Sequence, residues 1–209
     1  HNGRRRQRQM CIRDRWSGGS LFMWREFFGP KARIIGIDLN PDAVKWRKEG
    51  FEIFIGNQSD PHFWENFANE VGSVDVLLDD GGHTYIQQIV TIESMISNIN
   101  DGGMILVEDT HTSYMKNFGN PKLSFVNYSK LWIDRLNARF SAFQNEGNDT
   151  RVHSMEIFES IIAFKVNRYF SSLPSTVKNN NGFKDDAKHF RHEDRPFLEK
   201  NEQKIRSFL

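Results

Sequence analysis

The sequence predicts an α/β fold, a mostly parallel sheet bordered by an antiparallel hairpin at its C-terminal edge. Three observations carry this expectation. Residues 74–78, VDVLL, and residues 104–107, MILV, are short apolar runs of the kind found in strands buried on both faces. Stretches of helical spacing separate such runs, so the order reads βαβαβαβαβ, which implies parallel pairing and right-handed crossovers. Residues 152–158 and 160–166 then form two strand-like runs around Glu159, close enough in sequence to pair as a hairpin.

The first residues do not join this pattern. Residues 1–15 hold six arginines against the single Asp14, which leaves 22 basic and 26 acidic residues in the rest of the chain. The body is mildly acidic, so a nucleic-acid role would rest on that segment alone, and no nucleic-acid partner is expected. The segment lacks apolar periodicity, and its CIRDR element resembles the peptide read from a sequencing-library adapter. Residues 1–15 are therefore expected to be an extraneous basic segment, with the native amino terminus missing. Residues 11–16 offer one aliphatic side chain, Ile12, where a buried first strand should show several, so that strand is expected to be missing or replaced.

From residue 16 the elements follow in order. SGGS at 17–20 leads into a helix over 21–28, with Leu21, Trp24 and Phe28 on one side and Ser20 as N-cap. Gly18 and Gly19 let the backbone approach a bound ligand. A strand over 32–37 ends at Asp38, an acid about 20 residues past a glycine turn, placed to take the hydroxyls of a ribose. The missing third glycine counts against NAD. A short helix over 41–49 starts on Asn40 and Pro41, and a strand over 51–55 leads to GNQSDP at 56–61. There Gln58 and Ser59 suit a base edge, or the loop is simply a cap for the helix over 61–71. A helix over 84–98 carries Ile89, Ile92 and Ile96 toward the sheet, and Asp101, Gly102 and Gly103 turn the chain into the next strand. The loop over 110–122 is read as a lid or substrate wall, with His111 in a structural role. A helix over 123–143 presents Trp132, Leu136, Phe140 and Phe143 on one face, which is open to use in a homo-oligomer. The expected organisation is a catalytic domain over 16–167 and a linker with a charged tail over 168–209.

The chemistry gathers at two strand ends. Asp79, Asp80 and His83 follow the strand at 74–78, and Glu108 and Asp109 follow the one at 104–107. If the strands are neighbours, roughly 4.8 Å apart, up to four carboxylates and an imidazole converge at the edge where open α/β sheets bind ligands. Such carboxylates raise one another's pKa or recruit a cation, and oxygen ligands suit Mg²⁺, Ca²⁺ or Mn²⁺ rather than zinc. The plainer alternative is a row of solvated acids. Cys11, the only cysteine, excludes an intrachain disulfide. No run reaches the length of a membrane span, so no membrane partner and a cytoplasmic location are expected.

The segments SGGSLFMW, IIGIDLNP, GNQSDP, DDGGHT and VEDTHTSYM, in this order, resemble class I S-adenosylmethionine (SAM) dependent methyltransferases with their Rossmann-like sheet. Within these, the chain resembles the Mg-dependent macrolide-sugar O-methyltransferase group over residues 17–166. The family's first strand is the point of departure. The resemblance implies SAM at Ser20, Asp38, Gln58 and Ser59, with Gly18, Gly19, Asp79 and Asp80 completing the cofactor site. It implies Mg²⁺ on Asp80, Glu108 and Asp109, and His83 as general base. The function so implied is SAM-dependent, Mg-assisted O-methyl transfer to a hydroxyl of a sugar or sugar-bearing small molecule. A hydroxylase-like relative of the same fold and an inactive, truncated SAM-binding module are the alternatives.

Overall fold

The computed structural model describes residues 9–13, 18–139, 149–173 and 206. Among them β1 (Gln9–Arg13), β2 (Arg33–Asp38), β3 (Glu52–Ile55), β4 (Val74–Asp79), β5 (Ile99–Val107), β6 (Ser154–Phe158) and β7 (Ile161–Lys165) form one sheet in the order β3-β2-β1-β4-β5-β7-β6. The first five strands pair in parallel, and β7 runs antiparallel to both β5 and β6. The expected hairpin thus lies at the expected edge.

The expectation of a missing first strand is corrected. Gln9–Arg13 lies in the middle of the sheet, in register with Arg33–Ile37 of β2 on one side and with Val76–Leu78 of β4 on the other. Ladder hydrogen bonds come from the backbone, which QMCIR supplies as well as an aliphatic run does. Because β2 and β3 extend one way from β1 while β4 and β5 extend the other, the β1/β4 boundary is the topological switch point, outside whose carboxyl ends ligands bind in sheets of this type.

The helices α1 (Gly19–Phe28), α2 (Pro61–Val71), α3 (Tyr85–Met95), α4 (Phe125–Asn137) and α5 (Arg168–Ser172) surround the sheet. The short helix expected at Pro41–Glu49 is present and is 3₁₀ throughout, and none of its residues is fully buried. Ala43 and Trp46 pack against the core around Leu21 and Phe51 from this segment. Ser20 does not cap α1; Gly18 does, at φ 69°. Asp60 caps α2 by accepting from the His62 amide at 2.9 Å. β5 begins at Ile99 and runs through Asp101, Gly102 and Gly103, where a turn was expected. Gly103 makes that course possible, since a Cβ there would lie 2.2 Å from the Asp75 carbonyl oxygen. Phe140, Phe143 and the tail from 174 to 205 lie outside the described residues.

Core residues fill both faces of the sheet. Alternation along β2 sends Ile34 to one side, with Leu21, Phe51 and Leu78, and sends Ile35 and Ile37 to the other, with Phe67, Ile92, Trp132 and Phe164. The chain divides into two compact units, 1–175 and 176–209, and α5 belongs to the first. Arg168 ties α5 to it by donating to the carbonyls of Ile99 and Ser97, each at 2.8 Å. Among the described residues no helix is long and apolar enough to cross a membrane.

An ion network joins α3, α4 and the segment before β6. Glu93 accepts from the Tyr128 hydroxyl at 2.7 Å, from Arg151 at 3.0 Å and from Arg135 at 3.4 Å. Burial pushes the Glu93 pKa up, but these donors outweigh it and hold the group below its usual value. Asp149 is lowered in the same way: burial raises it and hydrogen bonds from Arg151 overcome that. Both folded pKa values lie below the unfolded ones of about 4.3 and 3.9, so the stabilisation is complete above them and is lost as acid takes the pH down through the folded values. Glu93→Gln is accordingly expected to lower the urea midpoint at about pH 7 and to lower it by less at about pH 3. An equal loss at both would assign the effect to packing.

Candidate active site

The carboxyl ends of β4 and β5 stand side by side, with Asp79 in register with Val107 and the Glu108 amide donating to the Asp79 carbonyl at 2.9 Å. Just beyond them, ligand atoms of Asp80, His83 and Asp109 all lie within 4.8 Å of one another. His83 is buried, at 4% exposure, and its Nε2 is 3.3 Å from Asp109 Oδ2. Glu108, expected with this set, stands next to these three rather than within the same 4.8 Å. It sits alongside, half-buried, and burial followed by the neighbouring Asp109 charge raises its pKa. The donor set suits a divalent cation, since two carboxylates supply charge and oxygen and a third stands next in the chain.

Backbone strain marks the same place. His83 and Asp109 hold φ of 57° and 54°, and the other non-glycine residue at positive φ among those described, Ser160 at 63°, adjoins them. L-residues enter this region at a cost that surrounding contacts must offset. Those contacts are present: Thr112 Oγ1 donates to the carbonyls of His83 at 3.1 Å and of Asp109 at 2.8 Å. The Tyr85 hydroxyl lies 2.9 Å from the Met115 carbonyl and 3.2 Å from those of Thr112 and Ser113, and so pins the loop after Asp109 to α3.

His111, expected in a structural role, has its Nδ1 2.5 Å from Ser160 Oγ and 3.8 Å from Asp109 Oδ1.

The residues expected around the cofactor fall into two groups. Gly18 and Asp38 line a crevice of about 30 Å³ beside α1, together with Trp46. The Trp46 indole packs on Gly18, where a Cβ would lie 2.5 Å from the ring. Gly19 is exposed and Ser20 half-buried at the start of α1. Gln58 and Asp79 form the second group and are turned inward. Gln58 is fully buried, and its Nε2 donates to both Asp79 carboxylate oxygens at 3.0 Å while its Oε1 accepts from the Gly82 amide at 3.3 Å. These bonds fix the turn that carries Asp80 and His83. Ser59 Oγ donates to Asn57 Oδ1 at 2.8 Å, within its own loop.

No family model matches the chain. Curated proteins similar to part of it include the following three. The 8-demethyl-8-alpha-L-rhamnosyl tetracenomycin-C 2'-O-methyltransferase of Streptomyces olivaceus is 32% identical over 101 residues, 48% of this chain and 26% of its own. The L-olivosyl-oleandolide 3-O-methyltransferase of Streptomyces antibioticus is 33% identical over 50% of the chain and 27% of its own length. Mycinamicin VI 2''-O-methyltransferase of Micromonospora griseorubida is 32% identical over 50% and 26%. The matched region thus spans about a quarter of these relatives. Among solved structures, MycE methyltransferase from the mycinamycin biosynthetic pathway, in complex with Mg and SAH, superposes with a TM-score of 0.72 at 21% identity, over 87% of this chain and 50% of that one. The likeness establishes a Rossmann-like methyltransferase fold of class I, as the order of motifs implied.

Proposed function

We propose that this chain, on its class I methyltransferase fold, transfers a methyl group from SAM to a hydroxyl of a sugar-bearing small molecule with the help of Mg²⁺. The observation that carries the reading is the convergence of Asp80, His83 and Asp109 at the carboxyl edge beside the switch point. Similarity to proteins named as sugar O-methyltransferases, and to a fold solved with Mg and SAH, supports it. The inactive-module alternative drew on an absent first strand, and β1 removes that ground.

Asp38, at the end of β2, binds the ribose hydroxyls, and Gly18 at the cap of α1 leaves the backbone open to the rest of the cofactor. Asp80 and Asp109 hold the cation, with Glu108 as the third carboxylate. When bound, Mg²⁺ supplies the positive charge that makes an alcohol easier to deprotonate. His83 takes the hydroxyl proton at Nε2, the nitrogen facing the cluster, which requires the neutral ring to carry its proton on Nδ1. Asp109 Oδ2, 3.3 Å away, then stabilises the imidazolium. The buried Gln58–Asp79 pair keeps His83 in place.

Calorimetric titration of S-adenosylhomocysteine into the chain tests the cofactor half. Binding in the micromolar range is expected, weakened about tenfold or more in Asp38→Ala, since hydrogen bonds to a charged acceptor are at stake. Absence of binding, with Mg²⁺ and with EDTA alike, would overturn the reading.

A further inference from the structure

Three successive peptide groups in the turn after β5 are held from three different elements. The Glu108 amide donates to the Asp79 carbonyl of β4 at 2.9 Å, the Glu108 carbonyl accepts from Gln88 Nε2 of α3 at 3.0 Å, and the Thr110 amide donates to the Ser160 carbonyl at 3.1 Å. The middle bond governs Asp109. Rotation of the peptide between Glu108 and Asp109 changes ψ of the first and φ of the second together, so a donor fixed on the Glu108 carbonyl maintains the Asp109 φ of 54°. Gln88 is an uncommon residue for its place. It lies on the buried face of α3 with Tyr85, Ile92 and Met95, at 1% exposure, where helical spacing calls for an apolar side chain. Its Oε1 is buried with no partner among the described residues, a cost that an apolar side chain of similar size would avoid.

We propose that Gln88 is a positioning residue for the cation: by holding the Glu108 carbonyl it keeps Asp109 in the strained conformation that places its carboxylate within 4.8 Å of the ligand atoms of Asp80 and His83. The inference rests on the metal-assisted reading of the site and adds to it a residue outside the ligand set. Strain is what makes a holder necessary. An aspartate at positive φ gains when the peptide before it turns over, because φ then passes to the ordinary negative side, and the carboxylate moves with it. Thr112 Oγ1, 2.8 Å from the Asp109 carbonyl, pins the peptide that follows and leaves the preceding one to Gln88. Removal of the Gln88 amide takes away one hydrogen bond, but it also takes away the orphaned oxygen and frees Asp109 from its strain. Its effect therefore falls on cation affinity far more than on stability, the reverse of what a packing residue would show.

The test titrates Mn²⁺, which takes oxygen ligands as Mg²⁺ does, into the full chain and follows the free ion by electron paramagnetic resonance, so the result does not depend on turnover. Gln88→Met, close to glutamine in length but without a donor, is expected to weaken Mn²⁺ binding by about tenfold to a hundredfold, as the loss of a residue that orients a metal ligand commonly does. Its urea midpoint and its affinity for S-adenosylhomocysteine are expected to stay near the wild-type values. If Gln88→Met does not fold, Gln88→Asn, a methylene too short to reach the carbonyl, reads the same contrast. Mn²⁺ affinity within about threefold of wild type would overturn the proposal. So would a loss of Mn²⁺ affinity matched by an equal loss for S-adenosylhomocysteine or by a large fall in the urea midpoint, since either assigns Gln88 to packing. A wild-type chain that binds no Mn²⁺ would remove the metal-assisted reading itself, and the proposal with it.

Discussion

Asp109→Asn is expected to reduce the proposed methyl transfer by about a thousandfold or more and to abolish its proposed dependence on Mg²⁺. Charge stabilisation by a bound cation is worth several kcal/mol in reactions of this type, and about 1.4 kcal/mol corresponds to each factor of ten in rate. The substitution is chosen for the backbone. Asp109 sits at φ 54°, a conformation that asparagine tolerates better than almost any other side chain apart from glycine, so the variant should fold with the loop in place. It removes one carboxylate from a set whose atoms lie within 4.8 Å, together with the partner of His83 Nε2 at 3.3 Å. Activity in EDTA and in excess Mg²⁺, alongside calorimetric titration of the metal, reads the outcome. A variant that keeps wild-type activity, or one whose residual activity still responds to Mg²⁺ as before, would remove Asp109 from the site.

The second large effect is on stability. Trp132 on α4 is fully buried, its ring lies edge-on to Phe164 at 6.0 Å, and the guanidinium groups of Arg135 and Arg151 cover it at 4.5 and 5.3 Å. Trp132→Ala leaves a cavity on that face of the sheet and strips two cations of their aromatic partner. A loss of about 3–5 kcal/mol is expected, or a fall in Tm on the order of 10 °C for a domain of this size. Urea and thermal unfolding measure it. A loss below about 1 kcal/mol would mean that α4 collapses into the gap and that its packing is far looser than the ring geometry shows.

Much of this fold and site was legible because β4 and β5 are buried on both faces and end abruptly in acids. An apolar run followed by Asp79–Asp80 or Glu108–Asp109 leaves few other readings. β1 was not legible, since a strand held by ladders on both sides can be built from QMCIR, and only the partners in β2 and β4 reveal it. The start of β5 was misread for the opposite reason. Asp101-Gly102-Gly103 has turn chemistry, yet Gly103 serves the close approach of the Asp75 carbonyl. At the site, sequence alone does not say which way a strand-end side chain points. Gln58 faces inward to Asp79, and His111 reaches back to Asp109 because the Tyr85 hydroxyl and Thr112 set the course of a loop without periodicity.

The three left-handed L-residues carry one consequence for anyone who alters this protein. His83, Asp109 and Ser160 each hold a backbone that glycine would occupy more comfortably, by an amount on the order of 1–3 kcal/mol per residue. A library screened for thermal resistance alone will therefore drift toward glycine at these positions and gather variants that survive heating while losing the groups gathered at the sheet edge. Robustness and reactivity compete here for the same three codons, and a useful stabilised variant has to find its gain elsewhere in the chain.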